Sequence, residues 1–399
     1  MTNEKPPLAL MILQEAFYGA YVWGTFGIFV GAVGMAFRHL VVGDVPSVLI
    51  AAVVGATLFG AVGAVFGVVQ VLFVAITSKR PRPQPLLYTP AAVNSNPPAN
   101  MTVFVVGDLH GCWEQADEEY YAIRKPDLLL WTGDLADNVL QSPAIAYSLA
   151  QLDSTYGILG NHDGAPTMLV VQEARNNRLA QLWLGVGHAR RVRRLKRLLG
   201  NREVGFEIRD FSELGVSLVG MRPLSSGAGK PTSFSKTLQK VYGVEDSLAA
   251  IKLDIDTAEY DKLIMLGHNG PAGLGYEVDA PFGRDWRPEG GDVGDADYRE
   301  AIEYAQQQGK QVVLAVGGHM HDVVNPRRGR DRRRVPLRFL DGVPVLNACR
   351  VPRIIHEDGK HWHYHYECQF GESGLLKVEL VSWNSTDEEE RRELVWEGG

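Results

Sequence analysis

Short apolar runs alternate with glycine-rich polar segments through the second and larger part of the chain. Runs of four to six residues, bounded by glycine and aspartate, predict strands that are buried on both faces. Exposed strands would instead alternate apolar and polar residues. The pattern therefore predicts an α/β fold. The runs cover residues 101–106, 128–131, 156–159, 263–266 and 312–316.

The first part of the chain has a different pattern, with two long stretches that carry no charge. No charged residue occurs between Glu15 and Arg38 or between Asp44 and Lys79. The first stretch fits one transmembrane helix of about 20 residues, and the second fits one tilted helix with apolar ends. A cleaved signal peptide and a pair of buried core helices are the alternatives. We favour a transmembrane hairpin, because the apolar character recurs and is not confined to one stripe.

The region after the hairpin has the composition of a tether. Prolines recur from Pro81 to Pro98, which favours an extended linker. The basic residues Lys79, Arg80 and Arg82 place the domain that follows in the cytoplasm by the positive-inside rule. The predicted parts are a membrane anchor at 1–78 with helices at about 16–37 and 48–77, a proline-rich linker at 79–100, a globular domain at 101–383 and an acidic tail at 384–399.

Each of the five predicted strands is followed by a segment that carries Asp, Asn or His. Ligands bind at the carboxyl ends of the strands in open α/β sheets, so we expect these side chains to meet there. Imidazole together with carboxylate suits zinc, iron or manganese better than magnesium or calcium. The segments are Gly107-Asp108-Leu109-His110-Gly111, Gly133-Asp134, Gly160-Asn161-His162-Asp163, Gly267-His268-Asn269-Gly270 and Gly317-Gly318-His319-Met320-His321.

This set of donors indicates a centre for two metal ions. Two ions about 3.5 to 4 Å apart can clamp a phosphoryl group and lower the pKa of a bound water, so that metal-bound hydroxide attacks in line. Ions this close need an anionic bridge, for which Asp134 is the natural candidate. The predicted function is hydrolysis of a phosphate mono- or diester. A non-catalytic regulatory protein and a membrane scaffold are the alternatives.

At these residues the chain resembles the calcineurin-like metallophosphoesterases, whose pattern is D-x-H, G-D, G-N-H-[DE], a lone His and G-H-x-H. The resemblance covers about residues 101–381 and implies a four-layer α/β/β/α sandwich. It implies catalytic roles for His162 and Asp134, with His162 orienting the substrate and protonating the leaving group. It also implies one metal ion, manganese, iron or zinc, on Asp108, His110, Asp134 and His321, and a second on Asp134, Asn161, His268 and His319.

Three further stretches, at 266–275, 283–286 and 347–353, resemble an uncharacterised branch of this family found in cyanobacteria and plastids. The serine/threonine protein phosphatases are a different branch. They share the Gly-Asp-x-His-Gly opening but continue with Gly-Asp-x-x-Asp-Arg-Gly. This chain has Asn138 in place of that arginine, so it lacks the phosphate-binding side chain of the protein phosphatases.

Two clusters are strongly basic in a chain with a formal net charge of -7. In the first, basic side chains from Arg190 to Arg197 flank Val192, Leu195 and Leu198 at helical spacing. Such a helix is expected to contact anionic lipid headgroups on the cytoplasmic leaflet, with an ordinary solvated face as the alternative. The second cluster covers residues 327–334. Nucleic acid is not an expected partner, because no recognition motif accompanies the charge.

Histidines and aromatic residues alternate near the end of the domain. His361, His363 and His365 follow the turn signal Asp358-Gly359 and are separated by aromatic residues. This alternation predicts one arm of a β-hairpin, with the histidines on one face and the aromatic rings on the other. We expect the histidine face to be exposed and polar, and a second metal site is the alternative.

Overall fold

The structure is a computed structural model. It describes residues 100–174, 181, 184–227, 235–285, 289–324, 333–357, 359–385 and 389–398. The predicted membrane anchor and all but the last residue of the predicted linker lie outside the described residues. Among the described helices, none combines the length and the apolar character that a membrane span requires. The hairpin, the domain boundaries and the cytoplasmic orientation stay predictions.

The described chain alternates strands and helices, as the apolar runs predict. The strands are β1 (Met101–Val106), β2 (Leu128–Trp131), β3 (Thr155–Gly157), β4 (Ile208–Phe211), β5 (Val216–Gly220), β6 (Lys262–Leu266), β7 (Gln311–Gly317), β8 (Leu337–Leu340), β9 (Val343–Asn347), β10 (Ile354–Glu357), β11 (Lys360–Gly371), β12 (Gly374–Asn384) and β13 (Glu390–Glu397). The helices are α1 (Gln115–Arg124), α2 (Ser142–Leu149), α3 (Thr167–Ala174), α4 (His188–Leu199), a 3₁₀ turn (Gly200–Arg202), α5 (Ser235–Tyr242), α6 (Ser247–Thr257) and α7 (Ala296–Gln307).

The strands form two mixed sheets. The first has the order β13-β12-β11-β1-β2-β3, with β10 also paired to β11, and the second has the order β4-β5-β6-β7-β9-β8. Strands β1, β2 and β3 are parallel, and so are β5, β6, β7 and β9. The parallel strands of each sheet therefore end at one edge. That edge is where the metal-binding segments begin.

The apolar side chains form three layers of core. The central layer lies between the two sheets and includes Val103 and Leu130 from the first sheet and Ile264 and Val316 from the second. A second layer packs the outer face of the first sheet against α1, α2 and α4. A third packs the outer face of the second sheet against α6 and α7. The predicted α/β sandwich is confirmed, because helices cover both outer faces of the paired sheets.

The five predicted strands correspond to β1, β2, β3, β6 and β7. The bounds of β1 and β2 agree with the prediction. Strand β6 begins one residue earlier than predicted, and β7 is one residue longer at each end. Strand β3 ends at Gly157 rather than at Leu159. Its parallel pairing with β2 covers only three residue pairs, and the chain then turns into the Gly160-Asn161-His162-Asp163 segment.

Two expectations about the end of the domain do not hold. Residues 390–397 lie in the predicted acidic tail of 384–399, but they form β13, a largely exposed edge strand that pairs with β12. The predicted hairpin is present as β10 and β11, but His363 and His365 are buried rather than exposed. The reason is that β11 is a central strand, and α1 covers the face that carries these histidines.

Candidate metal centre

The five predicted segments converge at the carboxyl ends of parallel strands from both sheets. The first three follow β1, β2 and β3, whereas the other two follow β6 and β7 of the second sheet. The structure brings together every predicted ligand and His162 in one cluster. The assignment of each side chain to a particular ion stays a prediction.

The first group of donors consists of Asp108, His110 and His321, whose ligand atoms all lie within 4.8 Å of one another. The Nε2 atoms of His110 and His321 are 3.1 Å apart. Two imidazole nitrogens bound to one ion at about 2.1 Å lie at a similar separation. This group therefore fits one metal ion.

The second group consists of Asp134, His268 and His319, also within 4.8 Å. The amide oxygen of Asn161 joins them, because Oδ1 lies 2.8 Å from Nε2 of His268 and 3.1 Å from Nδ1 of His319. An amide oxygen and neutral imidazole nitrogens are all acceptors, and a cation between them satisfies their lone pairs together. This group fits a second ion.

Asp134 lies between the two groups. Its Oδ2 atom is 3.6 Å from Nε2 of His110 in the first group and 3.6 Å from Nε2 of His268 in the second. Its other oxygen, Oδ1, accepts a hydrogen bond of 2.8 Å from the backbone N–H of His162. The carboxylate is thus held in an orientation in which one oxygen faces both groups.

Three of the predicted ligands adopt backbone conformations that L-residues rarely occupy. The φ angles of His110, Asp134 and His319 are 43°, 46° and 65°. Such residues cost free energy and persist where the surrounding structure holds them, as it does at functional sites.

Two glycines permit the close packing of the ligand loops. A Cβ atom on Gly160 would lie 2.2 Å from Oδ1 of Asp134, and one on Gly318 would lie 2.2 Å from Oδ1 of Asp108. Any larger residue would therefore displace a predicted ligand. The glycines in these segments are required for close approach, as the motifs suggested.

Thr132, which directly follows β2, orients ligands of both groups. Its hydroxyl donates to Oδ1 of Asp108 at 2.7 Å, and its carbonyl oxygen accepts from Nδ1 of His268 at 2.7 Å. Because a carbonyl oxygen only accepts, Nδ1 of His268 carries a proton, so Nε2 is the nitrogen that a metal ion would bind. The backbone N–H of His319 holds the second oxygen of Asp108 at 2.9 Å.

The protonation of the histidines differs across the centre. Burial and the neighbouring His268 lower the pKa of His319 to about 3, and burial also lowers the pKa of His321. Both imidazoles are therefore neutral and ready to bind a metal. Burial opposes protonation of His110, but its hydrogen bond to Asp137 and the charge of Asp134 outweigh burial and raise its pKa to about 9. A metal ion that bound His110 would therefore have to displace a proton from it.

Asp137 is a site residue that the sequence reasoning missed. Its Oδ1 atom lies 2.7 Å from Nδ1 of His110 and 2.9 Å from Nδ1 of His162. These two contacts lower the pKa of the Asp137 carboxyl well below its usual range. The sequence feature that could have indicated Asp137 is its position three residues after Asp134 in a Gly-Asp-x-x-Asp stretch. In the comparison with the protein phosphatases, this stretch was used only to show that the arginine is missing.

A buried ion pair supports the loop that carries Asp108 and His110, and it was also missed. Arg353 donates to the carbonyl of Cys112 at 2.9 Å and pairs with Asp117, and both charged side chains are buried. His363 contacts the same Asp117 oxygen at 2.9 Å. Arg353 lies in the 347–353 stretch that we noted only as a mark of one branch.

The basic helix of the sequence analysis is α4, and its apolar side faces inward. Val192, Leu195 and Leu199 are buried against the first sheet, so this side is not available to a membrane. The start of α4 contacts the His162 loop, because Arg191 donates from Nε to the carbonyl of Gly164 at 2.5 Å. Most of the second basic cluster lies outside the described residues.

The match to a protein family agrees with this geometry. Residues 101–323 match the sequence model of the calcineurin-like phosphoesterases, whereas no curated protein matches the chain. The protein TT1561 of Thermus thermophilus is 11% identical over 74% of this chain and 99% of that one, with a TM-score of 0.36. The purple acid phosphatase PPD1 from yellow lupin (Lupinus luteus) seeds is 15% identical over 76% of this chain and 54% of that one, with a TM-score of 0.40.

PhoD is a third solved structure that is similar, with 9% identity over 75% of this chain and 72% of that one, and a TM-score of 0.39. The family match covers more than half of the chain and includes all five ligand segments. Strands β8 to β13 lie beyond the matched residues and complete both sheets. The chain therefore belongs to the calcineurin-like phosphoesterases and is a metal-dependent phosphoesterase.

Proposed function

We propose that the centre holds two metal ions at once and hydrolyses a phosphate mono- or diester. The observation that carries this proposal is the position of Asp134, whose Oδ2 lies 3.6 Å from a histidine nitrogen of each donor group. A shared carboxylate offsets the repulsion between two neighbouring cations. When bound, the ions polarise the phosphoryl group and lower the pKa of the attacking water.

The donor set fits such ions. Each group offers at least one carboxylate and two imidazoles, and the second adds the amide oxygen of Asn161. Nitrogen and oxygen donors in this mixture suit manganese, iron or zinc. Asp108, His110, Asp134 and His321 would hold one ion. Asp134, Asn161, His268 and His319 would hold the other.

His162 is the residue that we propose as the acid for the leaving group. Burial lowers its pKa, but the charge of Asp134 and the contact with Asp137 outweigh burial and raise it. The protonated fraction of His162 near neutral pH is therefore larger than that of a free imidazole. Because Asp137 engages Nδ1, the proton on Nε2 is the one available to a leaving-group oxygen.

The substitution Asp134→Asn tests the shared carboxylate. We expect fewer metal ions per purified chain and a loss of turnover, with the fold retained because Asp134 lies in a loop beyond β2. Metal content by mass spectrometry and hydrolysis of p-nitrophenyl esters would be measured on the same samples. The exposed Asp256 provides a matched control, since Asp256→Asn removes a carboxylate from the surface. Two ions with near-normal turnover in Asp134→Asn would refute the proposal.

We further propose that residues 1–78 anchor the enzyme to a membrane with the catalytic domain on the cytoplasmic side. The support is the pair of uncharged stretches and the basic residues that follow them. Contact of α4 with anionic lipid headgroups is part of this proposal. Because Val192 and Leu195 are buried in the protein, such contact would be electrostatic and made by the exposed Arg190, Arg193 and Arg197.

A further inference from the structure

The metal centre has a buried side and a more open side. Asp108, Asp134 and His268 are fully buried, with 0%, 1% and 0% exposure. His110, His162, His319 and His321 retain partial exposure. A substrate therefore approaches from the side of these four histidines. The segment that follows His321 borders this side.

Two arginines meet at the residue directly after His321. Oδ2 of Asp322 accepts hydrogen bonds from Nη1 of Arg333 at 2.7 Å and from Nη1 of Arg350 at 2.8 Å. One carboxylate is thus shared by two guanidinium groups, and the three side chains together carry a net positive charge. The Arg333 side chain is 53% exposed, so this charge is accessible to an anion in solution.

Arg350 is held in one orientation and still has an unsatisfied donor. Its guanidinium carbon lies 4.4 Å from the centre of the Tyr364 ring, and Asp322 fixes Nη1. Its Nε atom is buried and has no acceptor among the residues that the structure describes. A guanidinium group with a buried donor that lacks an acceptor is poorly solvated, so an anion that binds this group gains more there than at an exposed lysine.

The backbone around Arg350 is fixed to the metal loops. The N–H of Asp322 donates to the carbonyl of Cys349 at 2.8 Å. Cys349 also packs against the start of the first ligand loop, because a Cβ atom on Gly107 would lie 2.8 Å from its Cα. Gly107 directly precedes the predicted ligand Asp108. The arginine pair is therefore positioned by the same loops as the metal ligands.

We propose that Arg350 and Arg333 form a cationic subsite that binds a second anionic group of the substrate. The inference rests on the proposed function and names its substrate class: a phosphate ester whose substituent carries a further phosphate or a carboxylate. The guanidinium group of Arg350 offers the planar donor edge that such groups accept. The subsite also supplies a positive charge that the chain lacks at Asn138, where the protein phosphatases have an arginine.

The experiment measures competitive inhibition of p-nitrophenyl ester hydrolysis by the full-length protein. Methylphosphonate carries one anionic group. Phosphonoacetate, 3-phosphonopropionate and 4-phosphonobutyrate add a carboxylate at increasing distance. The readout is the ratio of the inhibition constant of methylphosphonate to that of the best two-charge inhibitor. Because both constants come from the same variant, a general loss of activity cancels.

We expect the ratio in the wild type to be roughly 10 or more, because one hydrogen bond between charged groups raises the affinity by about that factor. Arg350→Gln should lower the ratio to about 1, and Arg350→Lys should recover part of it. Arg333→Gln should lower the ratio by a smaller factor. Because Arg333 is exposed, this variant tests the subsite if Arg350→Gln does not fold. Arg338→Gln is the matched control, since Arg338 forms a surface pair with Glu277 at 2.8 Å and should leave the ratio unchanged.

Two results would overturn the subsite in an active enzyme. One is a wild type that does not prefer the two-charge inhibitors, and the other is an unchanged ratio in both Arg350→Gln and Arg333→Gln. Failure of the proposed function has a different signature, because the wild type would then hydrolyse no p-nitrophenyl ester under any metal loading. That result would overturn the subsite together with the function on which it rests.

Discussion

The Asp137 carboxylate lies 2.9 Å from Nδ1 of His162, and the same oxygen lies 2.7 Å from Nδ1 of His110. One oxygen atom therefore orients both the proposed acid and a predicted metal ligand. Histidines that bind metals are oriented in this way by carboxylates in many proteins. Catalysis and metal binding should consequently both depend on a residue that is 54% exposed and binds neither metal nor substrate in our proposal.

The first prediction concerns Asp137→Asn. The amide keeps the shape of the side chain but loses the charge that favours the orientation and protonation of both imidazoles. We expect kcat/KM to fall by about 10 to 100-fold, with a higher metal concentration needed for half-maximal activity. Steady-state kinetics at several metal concentrations would show this. Asp153 is exposed, and Asp153→Asn should have the kcat/KM and the metal dependence of the wild type. The same values in Asp137→Asn would show that Asp137 has no role in the site.

The second prediction separates the acid from the metal ligands. His162→Asn retains the backbone N–H that holds Asp134, so the metal content should stay that of the wild type. The turnover number should fall by roughly 10² to 10⁴ for substrates with poor leaving groups. The loss should be much smaller for p-nitrophenyl esters, whose leaving group needs no proton. Equal losses for both kinds of substrate would show that His162 orients the substrate instead.

The third prediction uses the close approach at Gly318. In Gly318→Ala, the new methyl group would lie 2.2 Å from Oδ1 of Asp108 and 2.4 Å from the hydroxyl of Thr132, so the Asp108 carboxylate must move. We expect weaker metal binding and lower activity that excess metal partly restores. Gly309→Ala is the control, because no described atom lies within 4 Å of its added methyl group although its φ is positive. Gly309→Ala should lower the free energy of unfolding without changing metal binding. A similar loss of metal binding in Gly309→Ala and Gly318→Ala would contradict the prediction.

The fourth prediction is a dependence of stability on pH that comes from His365. Burial lowers the pKa of His365 well below its usual value of about 6.5, and the charges of Arg353, Arg124 and Arg392 add to this effect, with Asp117 opposing it. The unfolded chain then binds the proton more readily than the folded one. The contribution of His365 is therefore present above about pH 6.5 and is lost as the pH falls below it, by up to about 1.4 kcal/mol per pH unit.

Denaturant unfolding followed by tryptophan fluorescence between pH 7 and pH 5 would test this contribution. His365→Leu should unfold with a shallower dependence on pH than the wild type. His361→Leu is the control, because the His361 side chain is 44% exposed and lies on the same strand. The same slope in His365→Leu and in the wild type would show that other groups cause the acid sensitivity of the fold.

The sequence alone determined the features that depend on neighbouring residues. The apolar runs identified β1, β2, β6 and β7 almost to the residue, because a buried strand needs an unbroken apolar stretch and a turn after it. The short motifs at the ends of these strands predicted the cluster of candidate ligands for the same reason. Each motif places Asp, Asn or His next to the glycine that a tight turn requires.

Only the tertiary structure decided the features that depend on distant residues. The role of Asp137 arises from its contacts with His110 and His162. These three residues come from three different loops. The alternation in β11 predicted which face carries the histidines. It could not show that α1 covers this face and buries His365, because burial depends on what packs against a strand and not on its own pattern. The Arg350 and Arg333 pair is likewise visible only once the fold brings both side chains to Asp322.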